Sequence, residues 1–469
     1  MKSLRLIILT TSVAVLAACQ NTLLPEALHK DDVPAHFDQR VTAAGPIWPS
    51  SDWWQGFQSP ELTTLMVLAR TQNTDLAAAA ARVRQADARA RQAGAPLLPT
   101  LSLNADANHL YGQSGGASLR ETDYNVGLGA SYELDFWGKN RDAVDSATAL
   151  AKVSRADRQT VAITVSTGVA NSYFQLLVLR ERLAVARANL KSSQEMLDLV
   201  SRRVRAGFSA PADRIQEQAN LAALETALPA LEQQELETRN ALAILIGRRP
   251  EDFSVAATAL DGVVVPAVTP GLPLELIARR PDIAAAEANL VGAHADLAAA
   301  RAAFFPALTL TANAGLQNPA LAAAVDTLTG TGFGYNVAGA LVQTIFDNGQ
   351  IQAKTDEARA REEELLANYR GVVLAALSDV ENALGGASHL AAQEDAARNQ
   401  LAQSERLSRA ALNKYRAGSA DFLVVVDAER TLYAARDQLA QIRAARLSAT
   451  IALIRALGGG WSSSELRTP

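Results

Sequence analysis

Along this 469-residue chain the spacing of apolar and polar residues changes several times, and each change marks an element. Leu101, Leu103, Ala105 and Ala107 alternate with Ser102, Asn104, Asp106 and Asn108. Val126, Leu128, Ala130, Tyr132 and Leu134 alternate with Asn125, Gly127, Gly129, Ser131 and Glu133. A second pair follows: Leu308, Leu310, Ala312 and Ala314 against Thr309, Thr311 and Asn313, then Tyr335 to Phe346 with a less regular pattern. Period two over about ten residues predicts strands with one apolar and one polar face, long enough to cross a bilayer. A helix precedes each pair, over 75–95 and 282–303, and ends near Pro99 or Pro306, which cannot continue it. A polar loop is expected between Ala107 and Tyr124. After each pair, over 146–205 and 354–416, the period turns helical for about sixty residues, roughly 90 Å at about 1.5 Å per residue. Ala206-Gly207-Phe208-Ser209-Ala210-Pro211 and Ala417-Gly418-Ser419-Ala420 supply the stops. Helices over 212–246 and 421–457 return, with Glu, Gln, Arg and Asp interleaved among Ala and Leu as in paired helices with one wet face.

The order of helix, strand pair and helical hairpin occurs twice, and the residues repeat with it. Residues 75–107 superimpose on 282–314 at a shift of 207, with 14 of 33 positions identical. From Tyr124 onward the shift is 211, pairing Tyr124-Asn125-Val126 with Tyr335-Asn336-Val337, Gly138 with Gly349, and Arg205-Ala206-Gly207 with Arg416-Ala417-Gly418. Such units are too long for a solenoid, so the chain reads as one duplicated half-structure. The resulting organisation is a signal segment (1–18), an N-terminal segment (19–72), and a first repeat (73–265) with a β-hairpin at 99–137 and a long helical hairpin at 146–247. A Pro-rich linker (266–281) leads to the second repeat (282–457), with its β-hairpin at 306–347 and helical hairpin at 354–457, and a tail (458–469).

Composition agrees with thin helical walls rather than thick cores: 93 residues are Ala, and only 5% are aromatic although 49% are hydrophobic. A net charge of -5 leaves no basic footprint for nucleic acid. Cys19 is the only cysteine, which excludes a disulfide framework and any cysteine-based metal cluster. His29, His36, His109, His294 and His389 are dispersed, and no P-loop or His-Glu-x-x-His motif occurs, so neither an enzyme, a metal site nor a bound cofactor is expected. Lys2, Arg5 and the apolar run Leu6 to Leu16 read as a secretory signal, too short to span a bilayer. It ends in Leu16-Ala17-Ala18-Cys19, which resembles a bacterial lipobox. That resemblance implies a diacylglycerol thioether and an N-acyl lipid such as palmitate on Cys19. Gln20 after the cysteine is similar to outer-membrane sorting signals.

The scarce aromatics fall at strand ends. Phe304 and Phe305 precede the third strand, Phe136 and Trp137 end the second, and Phe346 ends the fourth, while Tyr111, Tyr124, Phe333 and Tyr335 mark the opposite ends. Two aromatic levels are what a membrane girdle requires. Four strands cannot close a barrel, and open edges in lipid cost several kcal/mol per unpaired backbone group. Chains must therefore share a barrel, of eight strands in a dimer or twelve in a trimer.

Leu134-Asp135-Phe136-Trp137-Gly138 with its echo Phe346-Asp347-Asn348-Gly349, the Tyr415-Arg416-Ala417-Gly418 turn, Gly271-Leu272-Pro273 and Arg279-Arg280-Pro281-Asp282 resemble the TolC family. More narrowly they are similar to the lipoprotein (OprM-like or NodT-like) outer-membrane factors of tripartite efflux systems. The resemblance implies a mostly α fold with a membrane β-barrel: a homotrimer, a 12-stranded barrel and a helical periplasmic tunnel. It also implies a periplasmic adaptor (membrane fusion) protein, an inner-membrane pump of RND type, outward passage of small molecules, and no chemistry on this chain.

Divergence between the copies locates a gate candidate. Leu423, Asp427 and Arg430 correspond at the 211 shift to Ala212, Gln216 and Ala219, so only the second copy carries charge and bulk there. The resemblance assigns these positions to a closed periplasmic aperture. An acidic ring repels anions, an apolar ring restricts wetting, and Arg430, one turn from Asp427, is placed to hold the closed state. The turns at Arg205, Gly207 and Phe208 and at Arg416, Gly418 and Ser419 are the adaptor or pump docking candidates. Type I protein secretion through a similar duct, or a structural or adaptor lipoprotein with no channel, are the rival readings.

Overall fold

A computed structural model describes residues 33–38, 48–114, 117–260, 262–318 and 332–461. The signal segment, Cys19 and the tail beyond Trp461 lie outside the described residues. Their elements run α1 (Pro60–Gln72), α2 (Thr74–Gly94), β1 (Thr100–Ser114), β2 (Ala117–Leu134), α3 (Lys139–Arg205), α4 (Pro211–Leu245), α5 (Pro273–Ile277), α6 (Pro281–Ala302), β3 (Ala307–Asn318), β4 (Gly332–Val342), α7 (Gln350–Arg416) and α8 (Phe422–Ala456). Two compact units contain them: 83–153 with 286–370, and 31–82 with 154–285 and 371–469. Each unit takes parts of both repeats, so the boundaries of the compact units differ from those of the repeats at 73–265 and 282–457. The reason is visible in the first unit, where β2 of one copy hydrogen-bonds to β3 of the other.

That unit holds one antiparallel sheet of order β1-β2-β3-β4. The polar loop expected between Ala107 and Tyr124 is instead strand: β1 and β2 stay paired out to Ser114↔Ala117. Gly115 and Gly116, which separate those two residues in sequence, lie outside the described residues. Tyr124, expected at a strand end, therefore lies well inside β2, level with Asn318 at the end of β3. The fourth strand stops at Val342, short of the expected Phe346.

The long helices begin earlier than the pattern suggests, at Lys139 and Gln350, because an aspartate caps each of them. Asp135 accepts the N–H groups of Asn140 (3.0 Å) and Arg141 (2.9 Å), and Asp347 accepts those of Gly349 (3.0 Å) and Ile351 (2.8 Å). Gly138 and Gly349 both sit at φ +83°, where a side chain is disfavoured, to turn the chain into the helix. Burial raises the Asp135 carboxyl, but the two N–H groups and the Arg141 guanidinium outweigh it and hold the group below its ordinary value. Its contribution is present above the unfolded pKa and is lost as pH falls through the depressed folded value. Asp135→Ala is expected to cost about 1 kcal/mol, read as a lower denaturation midpoint at neutral pH and a difference from the wild type that shrinks in acid.

In the second unit the N-terminal segment closes a core. Phe57 packs on Phe174 of α3 (ring centroids 4.9 Å apart), with Trp53, Leu62 and Met66 buried around it. Ser59 caps α1 through Leu62 N–H (3.2 Å) and meets the Tyr173 hydroxyl at 3.0 Å. Arg280 of the Arg-Arg-Pro-Asp motif pairs with Asp282 (2.6 Å) and Asp379 of α7 (3.1 Å) and reaches the carbonyl of Ala456 (3.3 Å), which ties the start of α6 and the end of α8 to the middle of α7.

Candidate channel wall and gate

Register turns the alternation of single strands into two continuous faces. Leu103, Leu128, Ala314 and Tyr335 form one row across the sheet, and Leu101, Ala130, Ala312 and Val337 the next. The opposite face carries the rows Ser102, Gly129, Asn313, Asn336 and Asn104, Gly127, Gly315, Gly334. On it Asp106 accepts hydrogen bonds from Asn125 (2.9 Å) and Asn108 (3.2 Å), as a water-facing wall allows. The close approach of the Gly127 and Gly315 backbones requires glycine at both, since a Cβ on Gly315 would lie 2.7 Å from Gly127 Cα, whereas Gly334 faces open space. The large apolar side chains of the other face are exposed, Leu101, Leu103, Tyr335 and Val337 among them. Neither β1 nor β4 has a partner on its outer edge within the described residues.

The aromatics at the helix ends of the hairpins cross-link the two copies. Trp137 stacks on Phe305 (centroids 4.6 Å, planes 19° apart) and donates its Nε1–H to the Pro306 carbonyl at 2.9 Å. Phe136, Phe304 and Phe346 are exposed, Phe346 beyond the end of β4. Tyr335 is exposed within β4, and the side chain of Tyr124 lies outside those described.

The second unit brings the two helical turns together. Gly207 (φ +78°) and Gly418 (φ +73°) end α3 and α7 in the left-handed conformation, and the N–H groups of Phe208 and Ser419 return to the carbonyls of Arg203 (2.8 Å) and Lys414 (2.9 Å). The turns are joined through Tyr415 and Ser209 of the two motifs and through Arg203, which the sequence did not single out. Arg203 lies 4.6 Å over the Tyr415 ring and donates to its carbonyl (3.2 Å), and Ser209 meets the Tyr415 hydroxyl at 3.1 Å. Met196, Val200, Ala411, Phe422, Val425 and Val426 pack around this link. Arg205 and Arg416 close their helices beside it, and Phe208 points outward, 76% exposed.

Leu423, Asp427 and Arg430 lie three and four residues apart on one face of α8, and all three are exposed, Leu423 by 65%. Arg430 does not turn to Asp427, however; its Nε meets Asn220 Oδ1 of α4 at 3.5 Å. The polar group it joins was missed by sequence reasoning: Ser193, Glu217, Asn220 and Glu429 are all buried. One signal was available. Glu429 falls in phase with Val425 and Leu432 on the apolar stripe of α8, where a carboxylate is out of place.

With this geometry the comparisons with known proteins agree. The chain matches the Outer membrane efflux protein family over residues 65–248 and 272–459, and it belongs to that family. It is 41% identical over 476 residues to the pyoverdine export outer membrane protein OpmQ of Pseudomonas aeruginosa, covering 99% of this chain and 98% of OpmQ. To the cation efflux system protein CusC of Escherichia coli it is 30% identical over 431 residues, 89% and 90% of the two chains. The solved outer-membrane channel OprN superposes with a TM-score of 0.87 at 29% identity, covering 94% of this chain and all of OprN's. The fold is that of the TolC-family outer-membrane channels, and the protein is an outer-membrane channel of an efflux system, a transport family rather than an enzyme family.

Proposed function

We propose that three copies of this chain join their sheets edge to edge into a twelve-stranded barrel continued by a helical periplasmic tunnel, a passive gated conduit for small molecules. The observation that carries this is the sheet itself: one face is apolar and exposed, the other polar, and both outer edges are open. In lipid such edges must be paired. Diacylglycerol and N-acyl chains on Cys19 tether the N-terminus to the outer membrane, each buried methylene contributing about 0.8 kcal/mol. A periplasmic adaptor docks on the joined turns at Arg205, Gly207, Phe208, Arg416, Gly418 and Ser419, and an inner-membrane pump of RND type loads the tunnel. The near full-length likeness to OpmQ favours a pyoverdine-like small molecule as cargo over the cation of CusC.

Leu423, Asp427 and Arg430 form the gate. With Arg430 engaged by Asn220 of its own chain, the three Asp427 carboxylates of the trimer are left as an acidic ring beside a ring of Leu423. The Asp427→Ala, Arg430→Ala double variant is expected to raise single-channel conductance in planar bilayers and to admit large antibiotics to cells. Unchanged values in both assays would remove these residues from the gate.

A further inference from the structure

Beside Arg430 on α8 lies Glu429, 6% exposed, within electrostatic reach of Glu217 of α4, which is fully buried. Ser193 of α3 donates to Glu217 Oε1, and Asn220 Nδ2 lies 3.5 Å from the same oxygen, while Oε2 has no partner. Arg430 acts on Glu217 and Tyr433 on Glu429, and behind Tyr433 stand Ser192 of α3 and Arg436 of α8. Of these only the arginines carry charge, and Arg430 reaches the pair through Asn220. Two carboxylates in one desolvated site cannot both ionise without a large penalty.

We propose that Glu429, buried beside the Glu217 carboxylate, holds a proton and that the two glutamates act as a pH-operated latch between α4 and α8. While the proton is held, α8 stays packed and keeps Leu423 and Asp427 in the closed position; when it leaves for solvent, the two buried charges drive the helices apart. The functional half of this rests on the gate reading above. Burial, and then the Glu217 charge, push Glu429 up to about 7, and burial together with Glu429 pushes the Tyr433 phenol up to about 12. The sign follows from linkage. Above the ordinary glutamate range an unfolded chain has lost the proton that the folded pair retains, so the α4–α8 contact weakens as pH rises towards about 7. A channel that tightens in acid and loosens near neutrality is the consequence.

The test combines infrared spectroscopy with bilayer recording of the full-length lipidated channel between about pH 5.5 and about pH 8.5. A protonated carboxyl band should be present at the acid end, titrate away near neutrality, and be absent from Glu429→Gln. Conductance of the wild type should rise several-fold over the same range, while Glu429→Gln, which mimics the held proton, should stay low and flat. Asp427→Ala should conduct better at every pH yet keep the pH step. The latch is overturned if no carboxyl band titrates in that range, or if wild type and Glu429→Gln share one pH profile. A flat Asp427→Ala result beside a pH step that Glu429→Gln abolishes would instead sink the gate assignment and leave the latch standing.

Discussion

Leu128→Arg is expected to abolish assembly of the channel in the outer membrane, whereas Ser131→Arg, three residues along the same strand, is expected to assemble. Leu128 lies in the interior of the sheet, paired with Leu103 on one side and Ala314 on the other, in a row of exposed apolar side chains. A charge placed in the middle of a lipid-facing strand costs about 2–4 kcal/mol, and a trimer carries the substitution in every protomer. Ser131 sits on the other face, between Thr100 and Thr311, where water can solvate a guanidinium. The amount of trimer surviving gel electrophoresis in detergent, recovered from outer membranes, distinguishes the two. Equal recovery would mean that the apolar face is not the lipid face.

Phe174→Ala is expected to be the most damaging single truncation in the second unit, with a loss of about 3–5 kcal/mol. Phe174 is 2% exposed and touches Phe57 and Tyr173, with ring centroids 4.9 and 5.4 Å apart. Its removal leaves a cavity that α3 cannot close, because Tyr173 is held by Ser59 and by Glu61 of α1. Phe174→Leu refills most of the space and should cost less than about 1.5 kcal/mol. Denaturant unfolding of the purified protein orders the three; a Phe174→Ala midpoint equal to that of Phe174→Leu would show that the core collapses around the gap.

The membrane strands were legible because one face of each had to be apolar, and that demand writes itself as period two at Leu101 to Ala107 and Val126 to Leu134. The outer half of the first hairpin was not legible. His109, Tyr111 and Gln113 break the alternation and read as loop, although the backbone goes on pairing to Ser114. Backbone hydrogen bonds continue a strand where side chains no longer announce it. Helix starts lie earlier than the pattern suggests for a related reason: Asp135 and Asp347, motif residues in the sequence, are caps in the fold. The gate residues stood out only because the two copies differ there. Glu217, in contrast, is one of five glutamates in α4 and nothing local marks it, while Glu429, the one glutamate of α8, was signalled only by its phase with the apolar stripe.

By itself the sequence determined the duplication, the four alternating strands, the long helical hairpins with their glycine stops, and the need for partner chains, because each follows from local periodicity or from the cost of open edges in lipid. Only the tertiary structure decided the strand register that merges four stripes into one apolar face, and the mixing of both copies within each compact unit. It also decided the choice by Arg430 of Asn220 over Asp427, and the burial of two carboxylates in one site. These depend on pairs of residues far apart in the chain, and no local pattern encodes which distant group a side chain will meet or how much water will remain between them.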